Sequence, residues 1–318
     1  MVELHKYSGA GNDFVVLDGR FEDVSAFRTP EHISFFCKKY STDGLMILTA
    51  DPDYDFRMEF YNPDGSGGMM CGNGGRCIVA FADYLGIRPA EGHLYRFLAP
   101  DGEHTAEILD SMEENTSRGL VHPRTRAGGG ARWIQVPEGD AGDSGRGRSE
   151  RSERSSSGGI LLHGWTVRLK MIDVKGITPV KGGYFLNTGT RHFVKFVDSV
   201  EALDMEADAK PIRWDEAFQP EGTNVNFVEA RPDGLHVRTF EKGVEGETLA
   251  CGTGLTASAL AAYHAGISGT DGSKGKYRLQ CRRGDWLQVD FQAQPDCRFT
   301  DVYLTGPAEL ERIILVSL

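Results

Sequence analysis

Two short segments read Met70-Cys71-Gly72-Asn73-Gly74-Gly75-Arg76-Cys77 and Ala250-Cys251-Gly252-Thr253-Gly254. In each, a cysteine stands ahead of a Gly-x-Gly stretch that runs into an apolar sequence of helical spacing. A helix N-terminus leaves its first N–H groups unpaired and carries a partial positive charge. Glycines there let a ligand come close, and a carboxylate is the natural guest. The same field favours a thiolate, so the sequence predicts thiol pKa values below the free value of about 8.5. One such motif alone reads more readily as a buried cysteine in a Gly-rich turn. Two motifs, 180 residues apart (251 − 71), point to convergence on one small substrate. A carboxylate held between two helix starts has its α-carbon acidified, because the enolate-like charge of deprotonation is stabilised there. Cys71 and Cys251 are then the catalytic pair. One, as thiolate, removes the α-proton, and the other, as thiol on the opposite face, returns one. The product is the inverted centre, with no cofactor and no metal. Cysteine suits this because both protonation states are reachable near neutral pH.

The elements that must position these thiols are also legible. Gly72 to Leu85 and Gly252 to Ala265 read as the two apolar helices. Thr29-Pro30-Glu31 marks another helix start, with Thr29 as cap. Short strands are expected at Asp13–Leu17, Leu45–Thr49, Asp55–Tyr61, Thr166–Met171, Tyr184–Leu186, Phe193–Val197, Val225–Glu229 and Leu235–Phe240. Four more follow at Tyr277–Cys281, Trp286–Phe291, Val302–Thr305 and Ile313–Val316. Asn62-Pro63-Asp64-Gly65 is a turn. Each half thus runs through short strands into a Cys-Gly-x-Gly helix start, which suggests a duplicated domain. Between about Glu113 and Gly159 the chain turns rich in Gly, Ser, Arg and acidic residues. It lacks the apolar surface to offset chain entropy and reads as a flexible surface insertion. Trp133 and Trp165 lie in or beside it without an assigned role.

Composition narrows the function classes. The 318 residues, 40% hydrophobic and 25% charged, suffice for packed domains. A formal net charge of -11 argues against nucleic-acid or anionic-membrane partners. No apolar run approaches the roughly 18 residues of a membrane span, and the N-terminus lacks a signal-peptide core, so the expected compartment is the cytoplasm. Six cysteines are too few for a disulfide scaffold and none forms a C-x-x-C pair. Cys77 reads as a core residue, and Cys37, Cys281 and Cys297 read as inert.

Taken together, several stretches resemble the diaminopimelate epimerase family. They are Gly9-Ala10-Gly11-Asn12-Asp13-Phe14, Phe60-Tyr61-Asn62-Pro63-Asp64-Gly65-Ser66, both cysteine motifs, Gly222-Thr223-Asn224-Val225-Asn226-Phe227 and Glu241-Lys242-Gly243. The resemblance covers most of the chain outside the insertion. It implies an α+β fold of two pseudo-symmetric domains, each a barrel-like mixed sheet around a central helix, with the site in the cleft between them. The domains would be residues 1–173, to which a strand at 306–318 returns, and 174–305. It implies an isomerase of lysine and peptidoglycan biosynthesis, independent of pyridoxal phosphate, that interconverts LL- and meso-2,6-diaminopimelate, in a family that tends to homodimers. By position Asn12, Asn62, Gly72, Asn73, Thr190, Asn224, Glu241, Lys242, Gly252 and Thr253 match substrate-binding residues. His192 and Glu241 match groups that tune the thiols.

Three positions depart from the family pattern. Lys242 replaces an Arg, and a lysine cannot form the bidentate fork an arginine offers a carboxylate. Thr190-Arg191-His192 replaces Asn-Pro-His, and the Gly-rich stretch before Asp43-Gly44 shortens to Tyr40-Ser41-Thr42. These changes touch substrate recognition more than the bases, so a racemase or epimerase of another amino acid, by the same two thiols, is the alternative. A third reading makes Cys71 and Cys251 a redox pair; in an epimerase their disulfide would be an inactivating side reaction.

Overall fold

The computed structural model describes residues 1–68, 70–112, 163–269 and 275–317. The segment read as an insertion, Trp133 included, lies outside these residues. The first half contains β1 (Val2–Ser8), β2 (Asp13–Asp18), α1 (Pro30–Tyr40), β3 (Gly44–Thr49), β4 (Phe56–Tyr61), α2 (Gly72–Tyr84), β5 (Leu94–Ala99), β6 (Gly102–Met112) and β7 (His163–Lys170). The second contains β8 (Ile177–Val180), β9 (Gly183–Asn187), β10 (Arg191–Phe196), α3 (Met205–Arg213), β11 (Asn224–Arg231), β12 (Gly234–Glu241), β13 (Gly246–Thr248), α4 (Gly252–His264), β14 (Lys276–Gln280), β15 (Trp286–Ala293) and β16 (Phe299–Val316).

The two halves repeat one pairing scheme. In the first, β1 and β2 are antiparallel, β2 and β3 parallel, β3 and β4 antiparallel, β4 and β5 parallel, and β5, β6 and β7 antiparallel. In the second, β9, β10, β11, β12, β14, β15 and β16 follow the same alternation. A parallel pair needs a crossover, usually a helix. Here α1 and α3 serve the first parallel pair of each half, and α2 and α4 the second. The first barrel closes through β16, which pairs with both β7 and β1. The second closes where Val174 and Phe299 exchange backbone hydrogen bonds, 2.8 Å each way. The expected two-domain α+β architecture, a barrel-like sheet around a central helix, is what forms.

Burial explains which helix goes inside. Every residue from Gly72 to Ala82 of α2 is buried, as are ten of the thirteen of α4. Helices apolar on all sides belong in a core. The two share one large cluster that includes Tyr7, Phe81, Phe97, Leu255, Leu260 and Phe299. By contrast α1 buries only Ile33, Phe36 and Cys37, against the outer face of β2 and β3. Its start is as read: Pro30 sits at the first position and the Thr29 hydroxyl accepts from the His32 N–H.

Two strand candidates at the C-terminal end, Val302–Thr305 and Ile313–Val316, merge into the single strand β16. Residues 299–305 of it pair with β15 of the second barrel, 306–310 with β7, and 309–316 with β1 of the first. One continuous strand thus passes from one barrel into the other.

Candidate active site

The N-termini of α2 and α4 meet where the two barrels touch. A Cβ built on Gly72 would lie 3.7 Å from the Gly252 Cα, and one on Gly252 would lie 3.5 Å from the Gly72 Cα. The same added Cβ atoms would lie 3.1 and 3.0 Å from the Leu304 side chain of β16. Larger residues at either position would hold the helix starts apart. Cys71 and Cys251 precede these glycines, both in extended backbone and both partly exposed.

Each sulfur has a different partner. Cys71 Sγ accepts from the Gly74 backbone N–H at 3.2 Å and so caps its own helix. Cys251 Sγ lies 3.4 Å from the Thr253 hydroxyl. Glu241, at the end of β12, acts on both thiols, and its negative charge disfavours either thiolate. Burial in turn pushes the Glu241 carboxyl above its usual range.

The expectation of depressed thiol pKa values is overturned. Burial raises the Cys71 thiol and pushes the Cys251 thiol up to about 12. Desolvation penalises the charged form, and here it outweighs the helix ends, which act in the expected direction through the Gly74 and Asn73 N–H groups at Cys71 and the Gly254 N–H at Cys251, where the Thr253 hydroxyl adds to it. Cys71 has one further aid, the positive charge of Arg76.

Arg76 is fully buried and bonds only oxygen acceptors of the backbone and one amide. Its guanidinium donates to Gly72 O, Gly9 O, Asn73 Oδ1 and Pro307 O, at 3.0–3.3 Å. Asn73 in turn donates to Asn12 Oδ1 at 2.6 Å. Asn12 belongs to a loop that crosses to the other half: Gly11, at φ +112°, packs so closely that a Cβ would sit 2.8 Å from Ala250 Cβ. Asn12 and Asn73 are therefore joined beside the paired helix starts. Asn62 is not drawn in the same way. Its amide donates to Ser66 Oγ and Gly67 O within its own turn.

On the other side, Asn224 ties together the residues around Lys242 and Arg191. Its Nδ2 donates to Arg191 O at 2.9 Å, and its Oδ1 accepts from the Lys242 N–H at 2.8 Å. Lys242 Nζ donates to Glu221 O, and Arg191 pairs with the Glu221 carboxylate. His192 is fully buried, with Thr190 Oγ1 2.9 Å from Nε2 and Asn226 Nδ2 3.0 Å from Nδ1. Burial lowers its pKa to about 3, so the ring is neutral at physiological pH.

Sequence reading did not single out Arg76, Asn226 or Leu304. Asn226 had a usable signal: Asn224 and Asn226 alternate on one face of a strand, and that face looks into a barrel. Arg76 gave none, since an arginine in a helix reads as solvent-exposed.

The model of the family described as diaminopimelate epimerase matches residues 4–118 and 184–310. Diaminopimelate epimerase of Chlorobaculum tepidum is 34% identical over 305 residues, covering 95% of this chain and 96% of that protein. A solved structure, a phenazine biosynthesis protein of the PhzF family from Bacillus anthracis, aligns over 100% of this chain and 99% of its own, with a TM-score of 0.63 at 10% identity. A probable proline racemase from Agrobacterium radiobacter, solved with bound carbonate, aligns over 100% of this chain and 93% of its own, with a TM-score of 0.57 at 14% identity. At such identities these two structures speak for the fold alone.

Proposed function

The chain belongs to the diaminopimelate epimerase family, an isomerase family, and from that premise we propose that it interconverts LL- and meso-2,6-diaminopimelate with Cys71 and Cys251 as the two bases. The observation that carries this reading is the glycine-to-glycine contact of two helix starts, each led by a cysteine. The carboxylate at the reacting end would bind the N–H groups of Gly72 and Asn73 on one side and of Gly252 and Thr253 on the other. One sulfur, as thiolate, takes the α-proton and becomes a thiol. The charge left on the substrate is held by the two helix ends. The opposite thiol gives its proton to the other face and becomes the thiolate. The same pair, with roles exchanged, runs the reverse reaction. Since burial holds both thiols up, the chemistry needs the carboxylate and the closed site to lower the barrier, with each base contributing about 10²–10⁴-fold.

Around this pair, Asn12, Asn62, Asn73, Thr190, Asn224, Glu241 and Lys242 are the residues we assign to substrate binding, with His192 and Glu241 adjusting the thiols. Lys242 Nζ, held by the Glu221 carbonyl, supplies a single-point cation for the distal end. We take the units to be 1–173, with 306–318 returning, and 174–305, working as a cytoplasmic homodimer. No described helix is long and apolar enough to cross a membrane.

The test is deuterium uptake at the α-carbon in heavy water with reductant present. It is run on diaminopimelate isomers beside proline, hydroxyproline and glutamate. Uptake with inversion on diaminopimelate alone is expected. Turnover of another amino acid with none of diaminopimelate would move the assignment to a different racemase.

A further inference from the structure

Three backbone groups, two carbonyls and one N–H, fix the direction of the amide and imidazole hydrogen bonds behind Cys251. Asn226 Nδ2 faces the Phe193 carbonyl at 3.1 Å, which can only accept, so this end of the amide is the donor. Thr239 Oγ1 donates to the other end, Asn226 Oδ1, at 3.0 Å. The second N–H of Asn226 therefore points to His192 Nδ1, which must carry a lone pair. His192 is the Nε2–H tautomer, and it donates to Thr190 Oγ1. Asn224 is locked in the same manner by Arg191 O and the Lys242 N–H, and its spare N–H reaches Thr190 Oγ1 at 3.3 Å. With both lone pairs engaged, the Thr190 hydroxyl meets the Thr253 hydroxyl as a donor, 3.2 Å away. The Thr253 proton then faces the Cys251 sulfur, at 3.4 Å.

We propose that Asn226, His192, Thr190 and Thr253 form a one-way chain of donors that ends on the Cys251 sulfur, with Asn226 as the positioning residue that sets its direction. The chain rests on the reading of Cys251 as one of the two bases; what it adds is a task for Asn226, to which that reading gave none, and a direction for the bonds among His192, Thr190 and Thr253. Gly254 is what lets the helix start reach the chain: a Cβ there would lie 2.4 Å from Asn226 Oδ1. At the matching place in the first barrel, a Cβ on Gly74 would meet Met46 Sδ and Phe60, which neither donate to nor orient Cys71. Because His192 is buried and neutral, the direction of the chain does not reverse across the working pH range. The charged or titratable groups that face the Cys251 sulfur are Glu241 from β12 and Cys71 from the start of α2, and neither changes in the variants below.

Two measurements test the chain without relying on turnover of any substrate. In protein with ¹⁵N-labelled histidine, His192 is expected to show the Nε2–H tautomer from pH 6 to 9; an Nδ1–H signal overturns the proposal. Second, the rate of iodoacetamide alkylation is followed against pH for Cys251 and Cys71 in the same sample, resolved by peptide. Thr253→Val is expected to move the Cys251 inflection up by about one unit, which is about tenfold slower alkylation at fixed pH. Thr253→Ser is expected to restore it. Thr190→Val, at an exposed position, is expected to move Cys251 in the same direction by less. Cys71 is expected to stay in place throughout. Equal shifts at both cysteines, no shift in Thr253→Val, or no shift in Thr190→Val would each overturn the chain. The identity of the substrate bears on none of these outcomes, so a failure here is distinct from a failure of the diaminopimelate assignment.

Discussion

Five residues after Cys71 stands Arg76, and five residues after Cys251 stands Thr256. Both bond the carbonyl four residues back, Arg76 Nη1 to Gly72 O at 3.1 Å and Thr256 Oγ1 to Gly252 O at 2.9 Å. The backbone plan is duplicated and the chemistry is not. The first barrel sets a buried, permanent cation behind its thiol, whereas the second sets a neutral string of hydroxyls, an amide and an imidazole. Burial and the Glu241 charge raise both thiols, and what opposes the rise differs: the Arg76 charge acts on Cys71 and the Thr253 hydroxyl on Cys251. What differs is the charge and direction of the groups one layer behind the sulfur.

The largest effects are expected from removing the two proposed bases. Cys71→Ala and Cys251→Ala are each expected to cut epimerisation by about 10²–10⁴-fold or more, read as loss of product in a coupled or chiral assay. Full activity in either variant would dissolve the pairing.

Next come the residues five places on. Arg76→Met leaves Gly72 O, Gly9 O, Pro307 O and Asn73 Oδ1 without their donor. The expected loss is about 3 kcal/mol or more in urea unfolding, with a rise in the Cys71 alkylation inflection. Thr256→Val removes one neutral bond and is expected to cost about 1 kcal/mol. Arg76→Lys separates the two roles of the side chain: it keeps the charge while losing most of the bonds. If the two valine and methionine variants cost the same, the buried cation has no special standing.

Acid brings out a third contrast. His192 in the second barrel titrates at about 3 and His5 in the first at about 4, both lowered by burial from 6.5. The unfolded chain then binds the extra protons. This contribution to stability is whole above about pH 6.5 and drains away as pH falls towards 4 and then 3. His5→Phe, which keeps a ring against Phe81 and Tyr84, is expected to recover on the order of 2 kcal/mol of stability at pH 4 and little at pH 7.5. Thermal melts across that range measure it.

The smallest contrast is between two glycines. Gly254→Ala places a methyl 2.4 Å from Asn226 Oδ1, and the expected cost is about 1–3 kcal/mol. Gly74→Ala meets its neighbours at 3.4 Å or more, ordinary contact, and the helix gains roughly 0.5–1 kcal/mol of propensity that offsets any strain. A Gly74→Ala variant as damaged as Gly254→Ala would mean that the first barrel is packed as tightly as the second.

Much of the frame was legible because it is written locally. Thr29-Pro30, the apolar run after each Cys-Gly-x-Gly, and the alternation at Phe56, Met58 and Phe60 each fix their own element. The misses are of long range or of weak local signal. β1 hides His5 and Lys6 among its apolar residues, and α3 is polar with Pro211 inside it. The thiol pKa values went the wrong way because a helix end can be read from a motif and burial cannot. Arg76 was passed over for the same reason: nothing along the chain says that a guanidinium will be enclosed by carbonyls from residues 9 and 307.

The strand shared by the two barrels also has a consequence in time. β1, residues 2–8, is synthesised long before its neighbour on one side, residues 309–316. The barrel that is translated first must wait, open along one seam with its edge unpaired, until residues 309–316 have been made. The second barrel can complete β8 to β15 before then. Assembly is therefore expected to run backwards relative to synthesis, and a nascent chain stalled short of residue 309 should expose an open edge to chaperones or to other copies of itself.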